Sequence, residues 1–134
     1  MSAFAHVHAM ARKQIWDGVA GRLVEGDQLT VGVVELEPSG LVPEHRHANE
    51  QAGLVLEGSV RMTVGEESAD LGPGGTYRIA SGVPHTLTAG PEGAVVVDIF
   101  APRRDDWSAL PALPDAPPRW PPRSSWPARS SRPA

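Results

Sequence analysis

The chain has 134 residues, of which 40% are hydrophobic, enough for one small domain with a single core. It contains no cysteine, which excludes a disulfide framework and thiol chemistry, and no apolar run approaches the roughly 18 residues of a membrane span. The net charge of −4 is unevenly distributed, because residues 111–134 carry a net charge of +3 and residues 1–110 therefore carry −7. A domain this acidic binds phosphate backbones poorly, so we expect no nucleic-acid partner.

The first 13 residues contain neither a strand pattern nor the apolar core of a signal peptide. They include a His-x-His pair, His6 and His8, but no strand or glycine frames it. We interpret residues 1–13 as a flexible lead without a binding role. With neither a leader nor a membrane span in the sequence, we expect a cytoplasmic protein.

Short strands separated by glycine and proline follow from residue 14 to residue 110. A broken strand is predicted over 15–25, and the strand that follows over 28–37 alternates Leu29, Val31 and Val33 on one face. Further strands are predicted over 53–57, 59–64, 68–71, 76–79, 85–88 and 94–101, with a turn at 90–93. One helical turn is predicted over 105–110. The pattern predicts one all-β domain over 14–110, a jelly-roll barrel.

The composition changes abruptly after residue 110. Residues 111–134 contain eight of the 14 prolines of the chain, interleaved with Ser, Arg and Trp. Proline lacks an amide donor and fixes φ, so this segment cannot add a strand or a regular helix. We predict a disordered or polyproline-II-like tail, and binding of a proline-recognising or anionic partner is the alternative.

The stretch His45-Arg46-His47-Ala48-Asn49-Glu50-Gln51 is the most informative part of the chain. Residues i and i+2 of a strand point to the same face, so the two imidazoles can project together. Gln51 on the next strand and His85 on a later one can join them. Three imidazoles and one amide oxygen suit a divalent transition metal with positions left open for a substrate. The alternative is a group of hydrogen-bonded histidines on a barrel wall.

Two patterns in this region resemble cupin motifs. The first is Gly40…His45-x-His47-x3-Gln51-x6-Gly58, with Gln where many cupins carry Glu. The second is Gly75…Ala80-x-Gly82-x2-His85, with Ala80 and Ala89 in place of the usual proline and asparagine. The resemblance covers about residues 14–107.

The resemblance to cupins has consequences for fold, cofactor and assembly. It implies a double-stranded β-helix barrel that binds a small-molecule substrate, and a homodimer. It also implies one divalent ion (Ni, Zn, Mn, Fe or Cu). The implied metal ligands are His45, His47, Gln51 and His85.

The last strand carries a carboxylate in an apolar run. Alternation places Val96, Asp98 and Phe100 on one face, and a buried carboxylate is costly unless it has a partner or faces a wet cavity. Arg61, Arg78 and Arg104 are candidate partners. In a barrel the wet cavity is the metal pocket, where Asp98 can act as a general acid or base. The alternative is a structural ion pair.

The pattern Asp98-x-Phe100-x-Pro102-x-Arg104-x-Asp106 is similar to the strand end of the KdgF group of small bacterial cupins, which take part in pectin degradation. These cupins open and tautomerise 4,5-unsaturated uronates to linear keto acids. The resemblance implies that Asp98 and Arg104 are catalytic, with Arg104 holding the sugar carboxylate as a bidentate fork. The alternative for Arg104 is a salt bridge to Asp105, Asp106 or Glu50. Phe100 would form a wall of the pocket. We also assign Arg61 and Arg78 to substrate binding.

Two other functions fit the same residues. A cupin dioxygenase, similar to quercetinases, would use a redox-active metal to activate oxygen. It is mildly disfavoured because Gln51 supplies one negative charge fewer than a glutamate. A non-enzymatic binding module would hold a metal or a small acid without turnover.

Overall fold

The computed structural model describes residues 2–127; Met1 and residues 128–134 lie outside the described part. Within residues 2–127 no helix is long and apolar enough to cross a membrane. A single α-helical turn, α1 (Asp105–Ser108), follows the last strand, as predicted. The strands are β1 (Lys13–Trp16), β2 (Val19–Glu25), β3 (Thr30–Leu36), β4 (Leu41–His45), β5 (Glu50–Val64), β6 (Glu67–Leu71), β7 (Thr76–Ile79) and β8 (His85–Ala101).

Two long strands, β5 and β8, pair along most of their length and pass from one sheet to the other. The second half of β8 lies between β3 and the first half of β5, with β2 and β1 beyond β3 and β7 beyond β5. The first half of β8 lies between β4 and the second half of β5, with β6 beyond. All these pairs are antiparallel. The two sheets form the predicted jelly-roll barrel.

Glycines bend β5 and β8 at the same level. Gly58 and Gly93 have φ values of +75° and +76°, and a Cβ atom on Gly58 would lie 2.1 Å from the carbonyl oxygen of Gly93. The pairing register of β5 with β8 also shifts on either side of Gly58. The turn predicted at residues 90–93 is therefore wrong. The glycines produce a bend in a continuous strand rather than a reversal of the chain.

The interior is apolar at one end of the barrel and polar at the other. Its polar part contains Gln51, His85 and Asp98, all buried. Alternating side chains of β3, β5 and β8 fill the rest. These buried hydrophobic residues include Val34, Leu36, Val55, Val60, Met62, Leu87, Val96 and Phe100.

The two terminal segments lie against the barrel where the structure describes them. The amide of Leu113 donates to the carbonyl of Arg12 at 2.7 Å, and Nη2 of Arg22 donates to the carbonyl of Ala116 at 2.5 Å. We expected a flexible lead and a disordered tail, but a proline-rich segment needs no amide donors of its own when barrel arginines donate to its carbonyls. Met1 and residues 128–134, parts of the same predictions, lie outside the described residues.

Candidate metal centre

Three histidines meet at the polar end of the barrel interior. His45 is the last residue of β4 and pairs directly with His85, the first residue of β8. His47 follows β4 in the loop that leads to β5. One ring nitrogen from each histidine lies within 4.8 Å of the others, so the three could hold a metal ion.

Each imidazole is oriented by its own backbone. A carbonyl oxygen can only accept, so in each case Nδ1 carries a hydrogen, and in the neutral ring Nε2 then has a free lone pair. This pattern is typical of metal-binding histidines, whose second ring nitrogen donates to a fixed acceptor. The Nδ1 atoms donate as follows: His45 to Pro43 (2.8 Å), His47 to Asn49 (3.0 Å) and His85 to Val83 (2.9 Å).

Gln51 adds an amide oxygen to the three imidazoles. Its Nε2 donates to Oδ1 of Asp98 at 2.9 Å, which turns Oε1 towards Nε2 of His47 at 3.0 Å. In this tautomer both facing atoms are acceptors, and two acceptors repel at this distance unless a cation or a proton lies between them. Nε2 of His85 is also enclosed without a hydrogen bond. Both observations fit a bound cation.

Burial keeps two of the imidazoles in the neutral form that binds metals. It lowers the pKa of His85 to about 4. Burial also lowers the pKa of His45, against the opposing hydrogen bond to Pro43. A metal therefore needs to displace no proton from either imidazole at neutral pH. Three nitrogens and one amide oxygen suit several first-row divalent ions.

A buried carboxyl group stands next to this set. Oδ1 of Asp98 accepts from Nε2 of Gln51 and, at 2.5 Å, from the hydroxyl of Tyr77. Burial raises the pKa of Asp98, although both hydrogen bonds lower it. Burial and the neighbouring Asp98 raise the pKa of Tyr77 well above its ordinary value. Asp98 is thus a buried carboxyl group with a raised pKa beside the candidate metal ligands.

Arg104 lies in the same cavity, where it makes the salt bridge to Asp106 that was the alternative to substrate binding. Its Nε and Nη2 donate to the two carboxylate oxygens of Asp106, at 2.9 and 2.8 Å. The guanidinium carbon also lies 4.7 Å from the centre of the Phe100 ring and 4.5 Å from that of the Trp107 ring. The bidentate face is therefore used by Asp106. Of the three guanidinium nitrogens of Arg104, only Nη1 makes no hydrogen bond within residues 2–127.

Phe100 is fully buried beneath this arginine and forms a wall of the cavity, as the sequence predicted. Its ring meets His47 edge-on, with ring centroids 5.7 Å apart. The cavity contains about 480 Å³ of space not filled by atoms, part of which is open to solvent. His45, Gln51, His85, Asp98, Phe100 and Arg104 line it.

Arg61 and Arg78 do not reach the cavity, so we correct their assignment to substrate binding. Val60 and Met62 point into the barrel, and Arg61 between them points outwards, where it pairs with Asp70 at 3.0 Å. Arg78 is exposed on β7. The reason is the two-residue period of a strand, which puts each arginine opposite its inward neighbours.

The sequence analysis missed two residues of the site, Tyr77 and Trp107. Both line the cavity. The alternation of β7 contained a signal for Tyr77, because Ile79 is an obvious core residue and Tyr77 shares its face. For Trp107 the helical turn was predicted, but nothing in it indicated that the indole packs back onto Phe100, with ring centroids 4.7 Å apart.

Comparison with known proteins gives consistent matches. The chain is 25% identical to the pectin degradation protein KdgF of Dickeya dadantii (strain 3937) over 97 residues, 71% of this chain and 88% of that protein. The structure of KdgF from Halomonas sp. superposes with a TM-score of 0.73 at 24% identity, covering 79% of this chain and 98% of that one. An RmlC-like cupin from Shewanella frigidimarina superposes with a TM-score of 0.74 at 20% identity, covering 79% and 96%.

The family itself follows from a match over most of the barrel. The Cupin_2 family, described as the cupin domain, matches residues 32–100, just over half of the chain. That range includes β4 to β7, most of β3 and β8, and all four candidate ligands. This protein therefore belongs to the cupin family and is a small cupin similar to KdgF.

Proposed function

We propose that this cupin is a metal-dependent enzyme that opens the ring of a 4,5-unsaturated uronate, or a similar enolic sugar acid, to a linear keto acid. One observation carries the proposal. Asp98, a carboxyl group that can exchange a proton, is held by the candidate ligand Gln51 within the cavity formed by three histidines. The likeness to a protein named for pectin degradation supports the same substrate class.

His45, His47, Gln51 and His85 would hold the metal, which when bound would polarise oxygens of the substrate as a Lewis acid. The aromatic rings of Phe100 and Trp107 give the cavity apolar walls that suit the carbon skeleton of a sugar ring.

The reaction is a proton transfer from oxygen to carbon. The C1 hydroxyl loses its proton, the C1 carbonyl forms, and the bond from C1 to the ring oxygen breaks. The electron pair that remains on the ring oxygen gives an enolate over C5 and C4. Protonation of C4 then gives the C5 ketone, so the product is an isomer and no oxidant is needed. Asp98 is placed to take the first proton and return it, as a general base and then a general acid.

Arg104 would supply positive charge for the substrate carboxylate. Because Nε and Nη2 are held by Asp106, it offers one free nitrogen rather than a fork. This single donor leaves the carboxylate free to rotate about the contact, and the two adjacent aromatic rings that pack against the guanidinium limit that rotation.

The test is the decay of the conjugated ultraviolet absorbance of a 4,5-unsaturated uronate monomer. Metal-loaded protein, its Asp98→Asn variant and buffer are compared, because the substrate also opens spontaneously. We expect faster decay with the wild type and a return to the buffer rate with the variant. Decay no faster than in buffer would overturn the uronate assignment. Oxygen uptake with phenolic or enediol substrates would then support a dioxygenase, and ligand binding insensitive to Asp98→Asn would support a non-enzymatic module.

We also propose that the protein is a homodimer that uses the outer face of the larger sheet. Val24, Leu54 and Ile99 are 48%, 37% and 43% exposed there, and a second copy would cover them. Sedimentation velocity tests this. Ile99→Glu should give monomers, whereas Leu41→Glu, which changes an exposed leucine of the other sheet, should not. A wild type that sediments as a monomer would contradict the proposal.

A further inference from the structure

We propose that Tyr77 is a positioning residue that holds the carboxyl group of Asp98 so that Oδ2 alone exchanges the proton with substrate. The inference rests on the proposed function for its substrate. It assigns a role in the site to a residue that is not among the specified positions of either cupin motif, and it can be tested separately from the reaction.

The sheet register explains how the tyrosine reaches Asp98. Gly53 of β5 pairs with Tyr77 on one side and with Asp98 on the other, so the two are separated by two strand spacings of roughly 4.8 Å each. A tyrosine side chain is long enough to cross that distance. It does so by lying over Gly53, where a Cβ atom would be 2.0 Å from the ring. The glycine is therefore needed for this contact.

The hydrogen bonds leave the two carboxyl oxygens in different situations. Oδ1 accepts from both Tyr77 and Gln51, at 2.5 and 2.9 Å, which uses its two lone pairs. Oδ2 has no hydrogen bond within residues 2–127, and it is not among the enclosed atoms without a partner, so it opens onto the cavity. Two donors on one oxygen also prevent the carboxyl group from rotating. Oδ2 is thus the oxygen that can take the hydroxyl proton of the substrate and deliver it to carbon.

Gln51 alone would not fix this arrangement. Its Oε1 also faces His47 in the candidate metal site, so the orientation of the amide plane is set by that site rather than by Asp98. The hydroxyl of Tyr77 comes from β7, across Gly53, and within residues 2–127 no hydrogen bond links it to a candidate metal ligand. A residue that acts in this way should influence the chemical step more than substrate binding.

The first measurement is kinetic, with the metal-loaded full chain and a 4,5-unsaturated uronate. Tyr77→Phe should lower kcat about tenfold or more, because one hydrogen bond to the carboxylate is lost, and leave KM within about twofold. Gly53→Ala should have a similar effect by displacing the ring. Gly72→Ala is the matched control, since a Cβ atom there would meet nothing within 4 Å. Unchanged kcat in Tyr77→Phe, with wild-type turnover intact, would overturn the proposal.

The second measurement does not depend on activity. Tyr77 is the one tyrosine of the sequence, so ¹³Cζ-tyrosine labelling gives a single NMR resonance. We expect it to shift in Asp98→Asn and in Gly53→Ala but not in Gly72→Ala. If the wild type opens no uronate, the proposed function fails, and this resonance still decides whether Tyr77 holds Asp98. A resonance that is the same in wild type and Asp98→Asn would overturn the inference.

Discussion

The two faces of the same strands differ in what their polar residues do. On the inner face of β8, Asp98 is buried and receives two hydrogen bonds from side chains of β5 and β7. On the outer face of β5 and β6, Arg61 and Asp70 pair in solvent, with their side chains 61% and 77% exposed. The charges are similar in kind, but only the inner one is desolvated. Because successive residues of a strand point to opposite faces, a shift of one residue moves a charged side chain from the desolvated interior to solvent.

The outer face has a second, buried part. Arg22 of β2 is only 2% exposed, because residues of the tail cover it. It pairs with Glu35 of β3 at 2.6 Å. The C-terminal segment thus buries residues on the outer face, whereas the barrel itself buries the residues on the inner face. From this comparison we expect substitutions of the inner residues to affect metal binding. Substitutions of the outer residues should change only the stability of the fold.

The largest expected effect is on metal affinity. His85→Ala removes one ligand nitrogen, and affinity for a divalent ion such as Ni²⁺ should fall at least about a hundredfold, more than the loss of a mere supporting contact. Isothermal titration of the metal-free protein measures this.

The control is the other His-x-His pair of the chain. A His6→Ala/His8→Ala double variant should bind about one equivalent of metal with wild-type affinity, since these residues lie outside the barrel. Equal losses in both variants would show that the inner cluster is not the site.

The second effect is on stability and comes from the covered outer face. Arg22→Ala leaves Glu35, whose side chain is only 15% exposed, without its main partner and removes the donor to Ala116. We expect a loss of about 3 kcal/mol in the free energy of unfolding, from urea denaturation, because removing one member of a buried ion pair costs roughly that much. Metal affinity should be unchanged. A loss below about 1 kcal/mol would mean that the tail does not exclude water from this pair.

The sequence predicted which residues of the last strand face the interior better than it predicted the turns between strands. Alternation in the last strand placed Asp98 and Phe100 on one face correctly, and the histidine spacing identified three residues that meet and could hold a metal ion. The same rule, applied to β5 with Val60 and Met62 as core residues, would have excluded Arg61. The bend at Gly93 was missed because glycine and proline favour turns locally, and only pairing with a second bent strand makes the chain continue.

Long-range contacts were beyond any sequence pattern. The contact between Tyr77 and Asp98 depends on the register of three strands across Gly53. The fork of Arg104 onto Asp106 is local by contrast, because the two residues are two positions apart, and the sequence had offered this salt bridge as one alternative. The contact of Tyr77 with Asp98 joins strands whose relative position is set by tertiary packing, and composition or periodicity contains no information about it.

The third prediction concerns pH in the metal-free protein. The pKa of His85 is about 4 when folded and 6.5 ordinarily, so the unfolded chain binds more protons between these values. Its contribution to stability is therefore lost as the pH falls from 6.5 to about 4. The raised pKa of Asp98 acts in the opposite direction, so we compare wild type with His85→Asn, in which the Asp98 effect remains. The free energy of unfolding of the wild type should fall relative to that of the variant across this window. Parallel curves would show that the imidazole is not desolvated.

We expect the smallest effect from a substitution on the solvent-exposed part of the outer face. Arg61→Ala breaks the pair with Asp70 at the surface, where water screens the charges and two long side chains regain their freedom. The free energy of unfolding should change by no more than about 0.5 kcal/mol, and uronate turnover should stay within about twofold of the wild type. Arg104→Ala is the inner counterpart, because its charge lies in the cavity, and it should reduce turnover strongly. If Arg61→Ala reduced turnover as much as Arg104→Ala, substrate would have to contact the outside of the barrel, and the division of function between the two faces would fail.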